Sequence, residues 1–216
     1  VKSAIYKREV IAARGFPELS WRWVDEKPIL SGKYHFCGEK DGVELSDDFD
    51  LRIEFPASYP RHLPIVSETS GTIHPKYHHI QNASLCLGTE AELYMIFSKI
   101  PCLVTFMNEF VNPYLFRWLT IQHLGHAPWI DRAHGLKGII EGYCHILQLE
   151  HARQVFESLR FILSNRDYRQ NHPCPCGSGE KTKQCHRKRF EHLVSLVPME
   201  VMQNDYSHFL VAMGRR

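Results

Sequence analysis

The chain has 216 residues, 44% hydrophobic and 23% charged, enough to bury a core as one domain plus an appendage. A formal net charge of +2 excludes binding of nucleic acid by bulk charge and leaves that role only to a local basic surface. There are seven cysteines, and Cys174, Cys176 and Cys185 share one short segment; this argues against a secreted disulfide framework and for metal or thiol chemistry in a reducing, cytoplasmic setting.

In chain order, "VKSAIYKREVIAARGFPEL" lacks the apolar h-region of a signal peptide, so none is expected. Within it, Ile5, Val10 and Ile11 stand among charges, and Gly15 and Pro17 follow, which predicts a short amphipathic helix. Strands come next. Leu19, Trp21 and Trp23 alternate with Ser20 and Arg22, then Tyr34 and Phe36 with His35 and Cys37. Phe49, Leu51, Ile53 and Phe55 repeat the period of two, and "LPIVSET" makes a shorter strand. The pieces "KPILSG" and "EKDGVELSDD" read as the turns between them. The pattern predicts an antiparallel meander with one buried face.

Beyond Cys86 the period changes. "LYMIFSKIPCLVTFMNEFVNPYLFRWLTIQHL" is apolar at helical spacing, broken by Pro101 and Pro113. "GLKGIIEGYCHILQL" and "EHARQVFESLRFILSNR" predict two further amphipathic helices, the second with Val155, Phe156, Leu159, Phe161, Ile162 and Leu163 on its apolar face. Strands followed by helices imply an α+β fold. Cys37, Cys102 and Cys144 fall inside strand or helix patterns and are expected in the core. No apolar run approaches membrane-spanning length, so no membrane partner is expected. From about Asn165 the composition turns polar, basic and Cys/His-rich, then ends in a helix around "RKRFEHLVSL".

That last segment carries the most specific chemical pattern. In "NHPCPCGSGEKTKQCHRKRF", Cys174 and Cys176 form a C-x-C pair, and Cys185 and His186 follow after one loop. Three sulfurs and an imidazole match a closed tetrahedral structural zinc site, with Gly177 and Gly179 permitting the tight reversal. Metal binding would also supply the folding free energy of so polar a segment. The bland alternative is a solvated loop with incidental cysteines. The stretch "PCPCGSGEKTKQCH" resembles the SEC-C motif, a small zinc-binding knuckle. The resemblance implies Cys174, Cys176, Cys185 and His186 as ligands, and partner binding in place of catalysis. The basic "KTKQCHRKR" run leaves nucleic acid open as that partner, against a merely solvated face.

The stretch "QNASLCLGTE" sets Cys86 between two leucines, just after the histidine-rich "TIHPKYHHI". By itself Cys86 reads as a small buried hydrophobe or as a nucleophile. The order of helix, four-stranded meander, "FPASYP", Pro64, "IHP", "SLCLG" and helices resembles the ubiquitin-conjugating (UBC) fold over about residues 1–165, with residues 166–216 as the zinc module and terminal helix. The resemblance implies Cys86 as the acceptor of an acyl group held as a thioester. The family's Asn after His-Pro is Lys76 here. Asn82 is a substitute for it, and His74, His78 or His79 are alternative donors; each histidine also reads as a turn-holder. Bacterial relatives of the fold lack that Asn. Freestanding bacterial proteins of this kind resemble conjugating components of CBASS antiphage operons. That implies the C-terminal tail of a cGAS/DncV-like nucleotidyltransferase as partner. The chain has neither G-x-G-x-x-G nor Walker A, so a separate activating enzyme or an unusual acyl donor is implied. Three other readings stand beside this one. The first is a non-catalytic UBC-like/SEC-C adaptor that binds a protein or nucleic acid. The second is an RWD-like scaffold, which would lack the cysteine. The third is a cysteine protease using His74 and Asp47.

Overall fold

Alternating side chains give the chain its sheet. The computed structural model describes residues 2–25, 27–77, 84–129, 133–164 and 171–214. Four strands, β1 (Leu19–Val24), β2 (Lys27–Lys40), β3 (Val43–Glu54) and β4 (Ile65–Glu68), form one antiparallel sheet in the order β1-β2-β3-β4. Leu30, Tyr34 and Phe36 of β2, Phe49, Leu51 and Ile53 of β3, and Val66 of β4 are buried. The expected α+β class and four-stranded meander are therefore present.

The turns are shorter than the sequence reading had them. "KPILSG" lies within β2, where Ile29 and Leu30 are buried, and most of "EKDGVELSDD" is strand. Only Asp41 and Gly42 turn the chain between Lys40 and Val43, with φ of 53° and 79°. Two left-handed residues suit a two-residue hairpin, because their twist matches that of the strands. At Gly32 a Cβ would lie 2.2 Å from the Glu18 carbonyl oxygen, so glycine is required where β2 passes the start of β1.

Helix α1 (Lys2–Ala12) is present, but not with the expected apolar face. Val10 and Ile11 are exposed, while Glu9 is fully buried. The Glu9 Oε2 accepts the Leu103 amide at 2.7 Å, at the start of α3 (Leu103–Phe106). A carboxylate suits that position because the first amides of a helix lack partners and carry positive potential. Pro113 does not break the helix as expected. A π-helical turn at Met107–Val111 joins α3 to α4 (Asn112–Leu124). Proline lacks an amide and collides with the carbonyl four residues back; the wider turn relieves both, and Pro113 sits at the start of α4. Gly125, with φ 72°, ends α4.

The remaining helices are α2 (Glu90–Phe97), α5 (Gly135–Leu147), α6 (Ala152–Ser164), α7 (Arg187–Leu196) and α8 (Met199–Ala212). Helix α7 spans the predicted "RKRFEHLVSL", whereas α8 was missed. The chain forms two compact units. One comprises Val1–Leu87 and Ile100–Asp131, so it holds the sheet with α1, α3 and α4. The other comprises Gly88–Lys99 and Arg132–Arg216, so α2, α5 and α6 group with the Cys/His segment. The composition change near Asn165 falls inside this second unit. Its core includes Tyr94, Phe97, Tyr143, Leu147, Val155, Leu159, Phe190 and Met202. On α5, a Cβ at Gly138 would meet the Ala133 carbonyl oxygen at 2.1 Å, and one at Gly142 the Thr89 hydroxyl at 2.9 Å. Among the described residues no helix is long and apolar enough to cross a membrane.

Candidate metal centre and candidate thiol site

Two glycine-bent turns bring the Cys/His segment together. Gly177 and Gly179 have φ of 83° and 81°, conformations that side chains rarely adopt. The Cys174 amide donates to the Glu180 carbonyl at 2.7 Å, and that of Gly177 to the Cys174 carbonyl at 3.1 Å. The Gln154 amide nitrogen of α6 donates to the Cys176 carbonyl at 2.8 Å, which fixes the loop to a helix. A single-turn 3-10 segment, Thr182–Gln184, leads to Cys185 and His186 at the entrance of α7.

The four predicted ligands converge. Their donor atoms all lie within 4.8 Å of one another. The Cys176 and Cys185 sulfurs are 3.6 Å apart, and His186 Nδ1 is 3.5 Å from the Cys174 sulfur and 3.0 Å from that of Cys185. A tetrahedral ion about 2.3 Å from each sulfur would hold two sulfurs about 3.8 Å apart. These residues can therefore hold a metal ion. Burial pushes the Cys174 thiol up to about 12. Burial acts upward on Cys176 too, but hydrogen bonds from Ser178 and the neighbouring thiols outweigh it and leave that thiol below its ordinary value. Metal binding deprotonates such thiols, and a lowered thiol beside a raised one is a donor set that a cation can complete. Burial, then Arg189, holds His186 below its ordinary value, which favours the neutral ring that a ligand needs. Backbone hydrogen bonds to Gln148 and Leu147 orient the same ring.

The basic run around the cluster is smaller than its sequence suggests. Arg187 pairs with Glu191 at 2.6 Å, and Arg189 donates to the Gln148 side chain. Lys181, Lys183 and Lys188 remain exposed.

The second predicted site lies in the sheet-bearing unit. Cys86 is half-buried and follows two buried residues, Ser84 and Leu85. Ser84 bridges Ser67 of β4, and the Leu85 amide donates to the Val66 carbonyl at 2.7 Å. Strand pairing thus delivers Cys86 to the end of the sheet edge. Burial first, then electrostatic interaction with Tyr77 and Cys86, holds the phenol of Tyr114 on α4 well above its ordinary value. The Tyr114 hydroxyl donates to the Tyr77 carbonyl at 3.2 Å, and the Tyr77 ring packs on Trp118 with centroids 4.8 Å apart.

His74 is exposed, and its Nδ1 accepts the Lys76 amide at 3.2 Å. The Tyr77 amide donates to the His74 carbonyl at 2.8 Å. His74 therefore holds its own turn. Asn82, like His78 and His79, lies outside the described residues. Asp47 accepts the Asp48 amide, and among the described residues no hydrogen bond joins it to His74. The three remaining cysteines are not in the core. Cys37 is exposed, as its alternation with Tyr34 and Phe36 requires. Cys102 is half-buried because it caps α3, its sulfur accepting the Thr105 amide at 3.5 Å. Cys144 is half-buried on α5, its thiol raised first by burial and then by Glu141.

Sequence reasoning missed Glu68. It ends β4, is buried, and accepts from the Ser70 amide and hydroxyl and from the Gly71 and Ile73 amides. An acidic residue followed by a Thr-Ser-Gly-Thr loop was the available signal. No protein-family model matches the chain, and a search of characterised proteins returns no match.

Proposed function

We propose that the chain is a ubiquitin-conjugating-enzyme-like cysteine acyltransferase with a zinc-bearing accessory knuckle. The carrying observation is Cys86 itself: a half-exposed thiol at the end of a meander edge, after a His-Pro turn rooted on the same strand. A thiolate is a strong nucleophile, and the thioester it forms stays reactive toward amines. Cys86 Sγ attacks an acyl donor's carbonyl, the donor's leaving group departs, and an amine later takes the acyl group. UBC-likeness is supported by the element order. The nucleotidyltransferase tail, the antiphage setting in a bacterial cytoplasm and the separate activating enzyme follow from the resemblance alone. For the knuckle, three sulfurs and one imidazole in a closed cluster favour zinc, which has no redox chemistry and accepts tetrahedral sulfur.

The test is to incubate the purified chain with a cGAS-like nucleotidyltransferase, an activating enzyme and ATP, and to resolve the products on non-reducing gels. A thiol-sensitive adduct is expected, absent in Cys86→Ala and absent when the nucleotidyltransferase tail is removed. An adduct that survives tail removal overturns the assignment of the partner. Adducts unaffected by Cys86→Ala, or none in the wild type, overturn the enzyme and leave a non-catalytic adaptor. Zinc content is checked by elemental analysis, with about one ion per chain expected.

A further inference from the structure

We propose that Glu68 positions the His74–Tyr77 turn for acyl transfer at Cys86, an inference that rests on the acyl-transfer reading above. Strand β4 has two jobs within three residues. Val66 and Ser67 hold the segment that delivers Cys86, through the Leu85 amide at 2.7 Å and the Ser67–Ser84 bridge. Glu68, the next residue, holds the loop that leads to the His-Pro turn. Its Oε1 accepts the Ser70 amide at 2.8 Å and the Ser70 hydroxyl at 2.5 Å, and its Oε2 accepts the amides of Gly71 at 3.0 Å and Ile73 at 3.2 Å. The two anchor points, Val66 and Glu68, are two residues apart on an extended strand, or about 7 Å. A rigid strand therefore sets the spacing between the thiol's segment and the turn.

The far end of the turn is fixed too. Tyr77 receives the Tyr114 hydroxyl on its carbonyl at 3.2 Å, which anchors the turn to α4. The loop from Glu68 to Tyr77 is thus tied at one end to the strand that pairs with the segment leading to Cys86, and at the other to Tyr114 of α4. Only an acceptor with two oxygens serves at Glu68. All four groups facing it donate, and glutamine would turn an NH2 onto two of them. A carboxylate is otherwise a poor choice for a residue 7% exposed at the end of a strand. Small errors in placing groups at a reacting centre reduce rate steeply, so the effect belongs in the transfer step.

A small glycyl thioester serves as acyl donor and free lysine as acceptor. The Cys86 sulfur attacks the thioester carbonyl; its S–C bond forms as the donor's C–S bond breaks, and the donor leaves as a thiol. The lysine amine then attacks, the C–N bond forms, the bond to Cys86 breaks, and the amine's proton returns the cysteine to a thiol. No oxidant or reductant is needed. Charging is followed by intact mass, with Cys86→Ser as background. Discharge is followed against lysine concentration, and alkylation of Cys86 by iodoacetamide through peptide mass spectrometry.

Glu68→Gln is expected to charge and to alkylate within about twofold of wild type, while discharge at saturating lysine falls by about tenfold or more with KM for lysine unchanged. Wild-type discharge in Glu68→Gln overturns the proposal. So does an equal fall in alkylation, charging and discharge, which would reduce Glu68 to a structural prop. A wild type that takes no acyl group at Cys86 overturns the acyl-transfer reading and this inference with it. If Glu68→Gln does not fold by circular dichroism, Ser70→Ala decides, since it deletes one of the four bonds and should give the same pattern in smaller measure. Wild-type discharge in Ser70→Ala then overturns the positioning role.

Discussion

Asp205 of α8 is 5% exposed, and its Oδ2 accepts the Tyr143 hydroxyl at 2.9 Å. Burial raises its carboxyl to about 6, Tyr143 and His208 pull it down, and Glu90 pushes it up. The folded value lies above the unfolded one, so the native state keeps a proton that the unfolded chain releases. The stabilising contribution is full below about pH 4, falls as pH rises through about 6, and is gone above that. At about 1.4 kcal/mol per pH unit of displacement, the difference is about 3 kcal/mol. Asp205→Asn should therefore match wild type near pH 4 and exceed it by up to about 3 kcal/mol at pH 7.5, measured by urea unfolding at both values. Equal urea midpoints for the two proteins at both values would refute this. Protonation of the Cys/His cluster acts on both proteins and cancels in the comparison. Nothing in the sequence marks Asp205 as buried. Its partner lies 62 residues away, beyond the reach of any local pattern. The Cys/His cluster was legible for the opposite reason, because its four donors fall within one short segment.

Elements were legible where one face repeats, and illegible where a side chain crosses to another element. The strands, α5 and α6 followed from periodicity. The docking of α1 did not, because the residue that performs it is Glu9, which a hydrophobic pattern assigns to solvent. Removing the Glu9 carboxylate leaves the Leu103 amide buried without its partner at the head of a helix. Glu9→Ala should cost about 2–3 kcal/mol, with exchange of the α3 amides rising before that of β2 and β3. Hydrogen exchange resolved by residue tests this. Uniform acceleration across the sheet would show that Glu9 supports the whole unit and not one helix end. Cys102 belongs to the same helix start, and a sulfur cap reads in sequence as an ordinary core cysteine.

At the scale of the molecule, a metal held by the Cys/His cluster should matter to one unit only. The Cys/His cluster is tied to α6 by Gln154, and the His186 ring stacks on Phe190, which packs on Phe161. Chelation, or Cys174→Ser with Cys176→Ser, should lower the melting of the second unit by about 10 °C or more and leave that of the first unchanged. Calorimetry with and without a chelator should show this as two transitions, one mobile and one fixed. A joint shift would mean that the two cores melt together. Composition located the cluster but could not reveal that α2 belongs with it, because α2 lies nearly 40 residues earlier in the chain than α5 (135 against 97). That interleaving bears on synthesis. Gly88–Lys99 leaves the ribosome while the helices that cover it, α5, α7 and α8, are still untranslated. At roughly 5–20 residues per second, Ala91, Tyr94 and Phe97 stay incompletely covered for several seconds before α7 emerges. Over the same interval Ile100–Asp131 can already close the sheet-bearing unit, so the nascent chain completes the fold around Cys86 while α2 still lacks α7 and α8.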